Sequence, residues 1–195
     1  MTDASLARRA LSYELGMWRS LFRWIGGRHR GPDAFRYAGT LTPLMLAFIG
    51  VSAVELPILH LLLPWPAVRL IVDLLSVYGL LWMLGMLASH RVHPHLAGES
   101  GLRIRQGTTV DLAVPWADVA TVRARNRGVD KRGSVLVEPT DAGTVLVVSV
   151  LKQTNVDVEL RRPTRVGEHE DVVGLRLYVD DPAALVTRAR QHLLP

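Results

Sequence analysis

Two apolar runs, Leu41 to Leu63 and Ala67 to Ser89, each 23 residues long, stand back to back in a chain of 195 residues. About 20 helical residues cross the roughly 30 Å of a bilayer core, so either run is long enough to span one. Only Pro64-Trp65-Pro66 separates them. The prolines end one helix and restart the next, and a Trp suits the membrane–water boundary. The pattern predicts a two-span helical hairpin over residues 38–90. A soluble hairpin would need a second layer around two helices that are apolar on every side, and so short a chain has none to spare. No small-residue cleavage site separates the runs, so a cleaved signal peptide is not expected.

Charge divides along the chain in the same way. The 23 basic and 18 acidic residues give +5 overall: a net +4 over residues 1–37, −1 over 38–89 and +2 over 90–195. Arg28, Arg30 and Arg36 precede the first run, Arg91, Arg103 and Arg105 follow the second, and the turn is uncharged. The positive-inside rule then predicts both termini in the cytoplasm. Cysteine is absent, which excludes from this chain a disulfide framework, a Cys-ligated metal and a thiol nucleophile. The modest basic excess does not by itself imply nucleic-acid binding.

Residues 1–37 read as a basic amphipathic juxtamembrane segment. Leu11, Leu15, Trp18, Phe22 and Ile25 recur at steps of three and four, with Arg8, Arg9, Arg19 and Arg23 mostly elsewhere. Such a helix can lie in the headgroup plane of an anionic leaflet, aromatic side down; packing on the C-terminal part of the chain is the alternative. Gly26-Gly27 and Gly31-Pro32 break it before the first span.

Beyond residue 100 the apolar period becomes two, in short runs bounded by turn residues. Seven strands are predicted: Leu102 to Arg105, Val110 to Val114, Val119 to Ala124, Val135 to Glu138, Val145 to Val150, Val156 to Leu160 and Leu175 to Val179. Gly107-Thr108 and Asp141-Ala142-Gly143 fall where antiparallel hairpins need turns. Asp180-Asp181-Pro182 then opens a closing helix with Leu185, Ala189 and Leu193 on one face. Residues 96–195 are expected to fold as a module with its own core.

Seven short strands and one closing helix resemble the pleckstrin-homology-like superfold. The run HPHLAGESGLRIRQGTTVDLAVPWADVATVR, with His93-Pro94 entering the first strand and Pro115-Trp116 before the third, is similar to bacterial membrane proteins that attach a PH-like domain to a two-helix hairpin. The resemblance covers residues 38–195. It implies membrane association and a small β domain at the cytoplasmic face, and it implies no catalytic activity. Lipid-binding eukaryotic PH domains usually carry Lys and Arg in the loop after the first strand; here that loop is Gln106-Gly107-Thr108-Thr109, so a phosphoinositide pocket is not expected.

The costly residues are Glu55, His60, Arg69 and Asp73, because ionisable groups inside a span are expensive. Folding the hairpin at Pro64-Trp65-Pro66 puts Asp73 level with Pro57 and within a turn of Glu55, and Arg69, four residues from Asp73, can pair with it. His60 and Arg69 are shallow enough to snorkel. The same register sets Gly50 opposite Gly79 and Ala53 opposite Ser76, small residues that would mark the helix crossing. In the β module, Arg125, Arg127, Lys131 and Arg132 form the most basic stretch, suited to headgroup or partner contact. His90, His93 and His95 and the run Glu168 to Asp171 match no metal spacing. No P-loop, nucleophile elbow, zinc-protease or dinucleotide motif is present, so neither a catalytic site, a metal nor a cofactor is predicted.

The sequence therefore predicts a non-enzymatic, multi-pass protein of the bacterial inner membrane, presenting a PH-like module to anionic lipid or to another protein, a second copy of the chain included. A subunit of a transporter or proton-linked assembly using Glu55 and Asp73 is the first alternative. A membrane-bound enzyme is the second.

Overall fold

The computed structural model describes residues 3–27, 31, 33–131, 133 and 135–193, with residues 3–10 described as backbone alone. The chain divides into two compact units, one of residues 1–28 and 40–92 and the other of residues 29–39 and 93–195.

The first unit is helical. α1 (Asp3–Ile25) is followed by α2 (Leu41–Leu62) and α3 (Pro66–Val92), and the last two are long and apolar enough to cross a membrane. Pro66 opens α3 at the position where its missing N–H costs nothing. Pro57 lies inside α2, which continues through it. The hairpin seam on α2 runs through buried Thr42 and Met45 and half-buried Ile49, Ser52 and Leu56, a three-and-four repeat. α1 packs on α3 in the same direction: Met17 meets Gly85, and Trp24 lies under the guanidinium of Arg91, 5.6 Å from the ring centre.

α1 thus docks on α3, a partner that the sequence reading does not name. Its buried face is Met17, Ser20 and Leu21; the stripe read from the sequence, Leu11, Leu15, Phe22 and Ile25, stays exposed, with Trp18 between the two. A helix with 3.6 residues per turn carries both faces side by side, and the α3 contact takes the one that sets Met17 against Gly85. A Cβ on Gly85 would fall 2.8 Å from Cγ of the fully buried Met17, so this glycine sets the spacing.

The second unit holds two sheets. One has four strands in the order β1 (Ala34–Phe35), β2 (His95–Ala97), β3 (Gly101–Gln106) and β4 (Val110–Pro115). A 3-10 turn over Trp116–Asp118 carries the chain into the other sheet. That sheet comprises β5 (Val119–Gly128), β6 (Leu136–Thr140), β7 (Gly143–Val148), β8 (Gln153–Val166) and β9 (His169–Leu177), in the spatial order β5-β8-β9-β7-β6. Strict alternation puts Val110, Leu112 and Val114 of β4 into the core and Asp111 and Ala113 outside. α4 (Pro182–Leu193) closes the unit, burying Leu185, Val186 and Ala189. The carboxylate of Asp181 accepts from the Ala184 N–H at 2.9 Å, the N-cap bond its sequence promises.

All seven expected strands are present, but the described residues contain nine, and one pair is parallel. β9 forms a hairpin with β8 and inserts between β8 and β7, so β7 and β9 run parallel, Leu146 opposite Leu175. Pleckstrin-homology topology is therefore not established by this arrangement. The two additional strands, β1 and β2, pair Ala34 with Leu96 and Phe35 with His95. The β unit thus takes in residues before α2: its first strand belongs to the stretch that the sequence zones as juxtamembrane. In chain order the whole α2–α3 hairpin is an insertion between two neighbouring strands.

Candidate functional site

Of the four polar residues singled out within the apolar runs, His60 and Asp73 form a pair, and Glu55 and Arg69 stand apart from it. Nδ1 of His60 lies 2.7 Å from Oδ2 of Asp73. This corrects the expected Arg69–Asp73 pair. Side chains tilt toward the N-terminus of their own helix, so in an antiparallel hairpin His60 reaches away from the turn while Asp73 leans toward it, and they converge across a three-residue offset. Oδ1 of Asp73 is buried without a partner. Arg69, in the first turn of α3, is half-buried. Glu55 is exposed on α2 and, among the described residues, has no hydrogen-bond or ion-pair partner.

Gly50 and Gly79 do not mark the crossing. A Cβ on either would meet nothing within 4 Å, Ala53 is exposed and Ser76 half-buried. The seam instead runs along Thr42, Met45, Ile49, Ser52 and Leu56 on α2.

One polar contact escapes the sequence argument because it joins α1 to α3: the Tyr78 hydroxyl donates to the Glu14 carboxylate, with the Trp18 ring 6.5 Å from that of Tyr78. The repeat Glu14, Met17, Leu21, Trp24 is legible as a second helical face once a partner helix is known. Arg19 and Arg23 are exposed on α1; Arg8 and Arg9 lie on its backbone, their side chains outside the described residues.

In the β unit, the most basic stretch separates into parts. Arg127 bonds Asp157 at 2.9 Å and is a structural ion pair. Arg125 and Lys131 are exposed, and Arg132 lies outside the described residues. Across β3 and β4 the Arg103 guanidinium grips Asp111 with two bonds of 2.6 Å, which holds that carboxyl below the usual carboxylate range.

His95, one of three clustered histidines, is wholly internal. Its Nδ1 accepts from the Arg105 N–H at 3.0 Å and its Nε2 donates to the Tyr178 carbonyl at 3.1 Å. These two backbone partners fix the neutral tautomer, and burial pushes its pKa down to about 4. The Tyr37 ring lies 4.9 Å away, and the Tyr37 oxygen accepts from the Gly107 N–H at 2.6 Å. Burial raises the Tyr37 hydroxyl well above the ordinary phenol range. Tyr37 belongs to a strap over residues 33–39. The Asp33 carbonyl accepts from Ala97 N–H, that of Arg36 from Asp180 N–H, and the Asp180 carboxylate accepts from Gly39 N–H at 2.9 and 3.1 Å. A Cβ on Gly39 would lie 2.8 Å from that carboxylate. Together these contacts hold the strap against the β unit.

No group of three or more metal-capable side chains occurs among the described residues. Comparison with protein-family models, with characterised proteins and with solved structures gives no match.

Proposed function

We propose that this chain is a non-enzymatic integral membrane protein in which α2 and α3 cross the bilayer and the β unit is held at the cytoplasmic face for contact with protein or with anionic headgroups. The observation that carries the reading is the pair of adjacent helices whose large apolar side chains, among them Phe48, Leu61, Leu70 and Leu74, remain exposed in the folded chain. Water makes that surface costly at about 25 cal/mol per Å², and hydrocarbon removes the cost. The sheet order supports the same-side placement of the two hairpin ends, because Phe35 and His95, which flank the hairpin in the chain, are ladder partners. Exposed Arg125 and Lys131 on the β unit and exposed Arg19 and Arg23 on α1 supply cations for an anionic leaflet, each near-surface charge being worth about 1 kcal/mol. The bacterial inner membrane and the pleckstrin-homology likeness belong to this proposal as the setting that the residue pattern resembles.

A proton-linked role for the hairpin is the second reading, favoured by the unpartnered Glu55. Topology is tested with single cysteines in a chain that has none of its own. In intact cells an impermeant thiol reagent should label Trp65→Cys and spare Thr140→Cys. Labelling at 140 overturns the orientation, and release of the protein from membranes by alkaline carbonate overturns the membrane reading itself. Charge-neutral variants at Arg125 and Lys131 should weaken binding to anionic vesicles; unchanged binding leaves protein contact as the role of the module.

A further inference from the structure

α1 carries two apolar faces, and the docked chain uses one of them. Met17, Ser20 and Leu21 are buried, while Leu11, Leu15, Phe22 and Ile25 stay exposed. At about 100° per residue, Ser20 stands about 180° around the axis from Leu11, and Arg19 and Arg23 border the exposed stripe about 40° and 80° from Leu15. An apolar stripe with cations along one edge is complementary to an anionic bilayer surface, where acyl chains take the stripe and phosphates take the guanidinium groups. The docked helix cannot present it in that way. It runs alongside α3 in the same direction, with Glu14 at Tyr78, Met17 at Gly85 and Trp24 at Arg91. Equal steps back from the first two contacts bring the backbone of Arg8 and Arg9 level with residues 72–77 of α3. Counted from Pro66, that is the middle of the roughly 20 residues that cross a bilayer core. Two guanidinium groups at such a depth carry a penalty of the same order as the gain from burying Met17 and Leu21 and making the Tyr78 bond. Gly26 and Gly27 follow the helix, Gly27 at φ +60° with open space where a Cβ would stand, and supply a pivot.

We propose that α1 has two alternative seats: it docks on α3 where the bilayer is neutral, and on an anionic cytoplasmic leaflet it swings about Gly26-Gly27 to lay Leu11, Leu15, Phe22 and Ile25 into the headgroup layer, with Arg19 and Arg23 on the phosphates. The proposal rests on the membrane reading. The seats exclude each other, because the docked axis follows a spanning helix and the stripe lies on a surface only when the axis lies in its plane. Anionic lipid meets Arg19, Arg23 and the whole stripe together in the released state alone, so headgroup charge sets the docked fraction. Ser20 moves from the buried interface to the side facing water, and Met17 leaves Gly85.

The test uses the full-length protein, which has no cysteine of its own, in vesicles of phosphatidylcholine with and without phosphatidylglycerol. Met17→Cys with Gly85→Cys reports docking, since a Cβ on Gly85 falls 2.8 Å from Cγ of Met17, within reach of a disulfide. That crosslink should form in neutral vesicles and fall about tenfold in anionic ones, the scale expected of two near-surface cations. In a separate chain, Ser20→Cys should gain reactivity toward maleimide on the same change of lipid. Arg19→Gln with Arg23→Gln should abolish both responses, while Arg125→Gln on the β unit should leave them. Equal crosslinking in the two lipids overturns the proposal, as does a lipid response that survives the loss of Arg19 and Arg23. Crosslinks between copies from Phe22→Cys would seat the stripe on a second chain and overturn it too. Extraction of the protein by alkaline carbonate removes the membrane reading and the proposal together; retention with equal crosslinking removes the proposal alone.

Discussion

Nδ1 of His60 and Oδ2 of Asp73 lie 2.7 Å apart, joining the last turn of α2 to the body of α3. In the proposed bilayer setting the pair should couple the helices by about 1 kcal/mol, in line with intramembrane hydrogen bonds generally. A double-mutant cycle of His60→Leu and Asp73→Leu, followed by unfolding in detergent mixtures, measures it. Zero coupling would show that the contact is incidental. Asp73→Leu should cost less than His60→Leu, because the latter leaves the carboxylate with neither oxygen paired.

Gly85 predicts how α1 is held. Gly85→Leu must push Met17 from its fully buried place, whereas Leu81→Ala, on an exposed position of the same helix, need not. In a Ser20→Cys reporter, silent in the parent because Ser20 is buried, Gly85→Leu should expose the thiol to maleimide. Continued protection would place α1 against α3 by other contacts.

His95 gives the β unit a pH dependence of definite sign. Its folded pKa of about 4 lies below the ordinary 6.5, so between these values the unfolded chain binds a proton that the folded chain refuses. Stability is therefore full above pH 6.5 and falls as pH drops toward 4, by about 3 kcal/mol at most. His95→Phe should abolish that slope while destabilising at every pH, since Arg105 N–H and Tyr178 C=O lose their partner. A slope that survives the substitution assigns it elsewhere.

The β unit should not fold well as residues 96–195. That fragment lacks His95, β1, Tyr37 and the Gly39 link to Asp180. Joining residue 39 to residue 93 by a short Gly/Ser linker, with α2 and α3 removed, should restore a cooperatively unfolding, β-rich protein. Fluorescence of Trp116, the sole Trp of that unit, reports the transition. Equal stability of the two fragments would mean that the strap contributes nothing.

The contrast between these fragments marks where sequence reasoning stopped. Local signals were sufficient for the hairpin turn at Pro64-Trp65-Pro66, for the seven longer strands and for α4 behind its Asp181 cap, because each is written in adjacent residues. β1 has two residues and β2 three, too few for any period, and their partnership spans the whole hairpin. The β7–β9 pairing was hidden because tight turns suggest antiparallel neighbours, while β9 displaces β7 from β8. Among the polar residues, identity was legible and partnership was not: His60, Asp73 and Glu55 stand out by cost alone, yet which is paired depends on side-chain tilt across a seam. His95 looked like one of a cluster, and only its two backbone partners show that it is a fixed internal strut.

Described mechanically, the insertion of α2 and α3 between β1 and β2 makes a zipper. Both hairpin ends leave the same end of an antiparallel ladder, just after Phe35 and just before His95. A force that spreads those ends loads the ladder bonds one after another instead of all at once. The strap behind it is riveted at Tyr37, Arg36 and Gly39. Tension entering through α2 would therefore load the Gly39–Asp180 contact at the start of α4 before it reached the ladder, whereas tension entering through α3 would load the His95 end of the ladder directly.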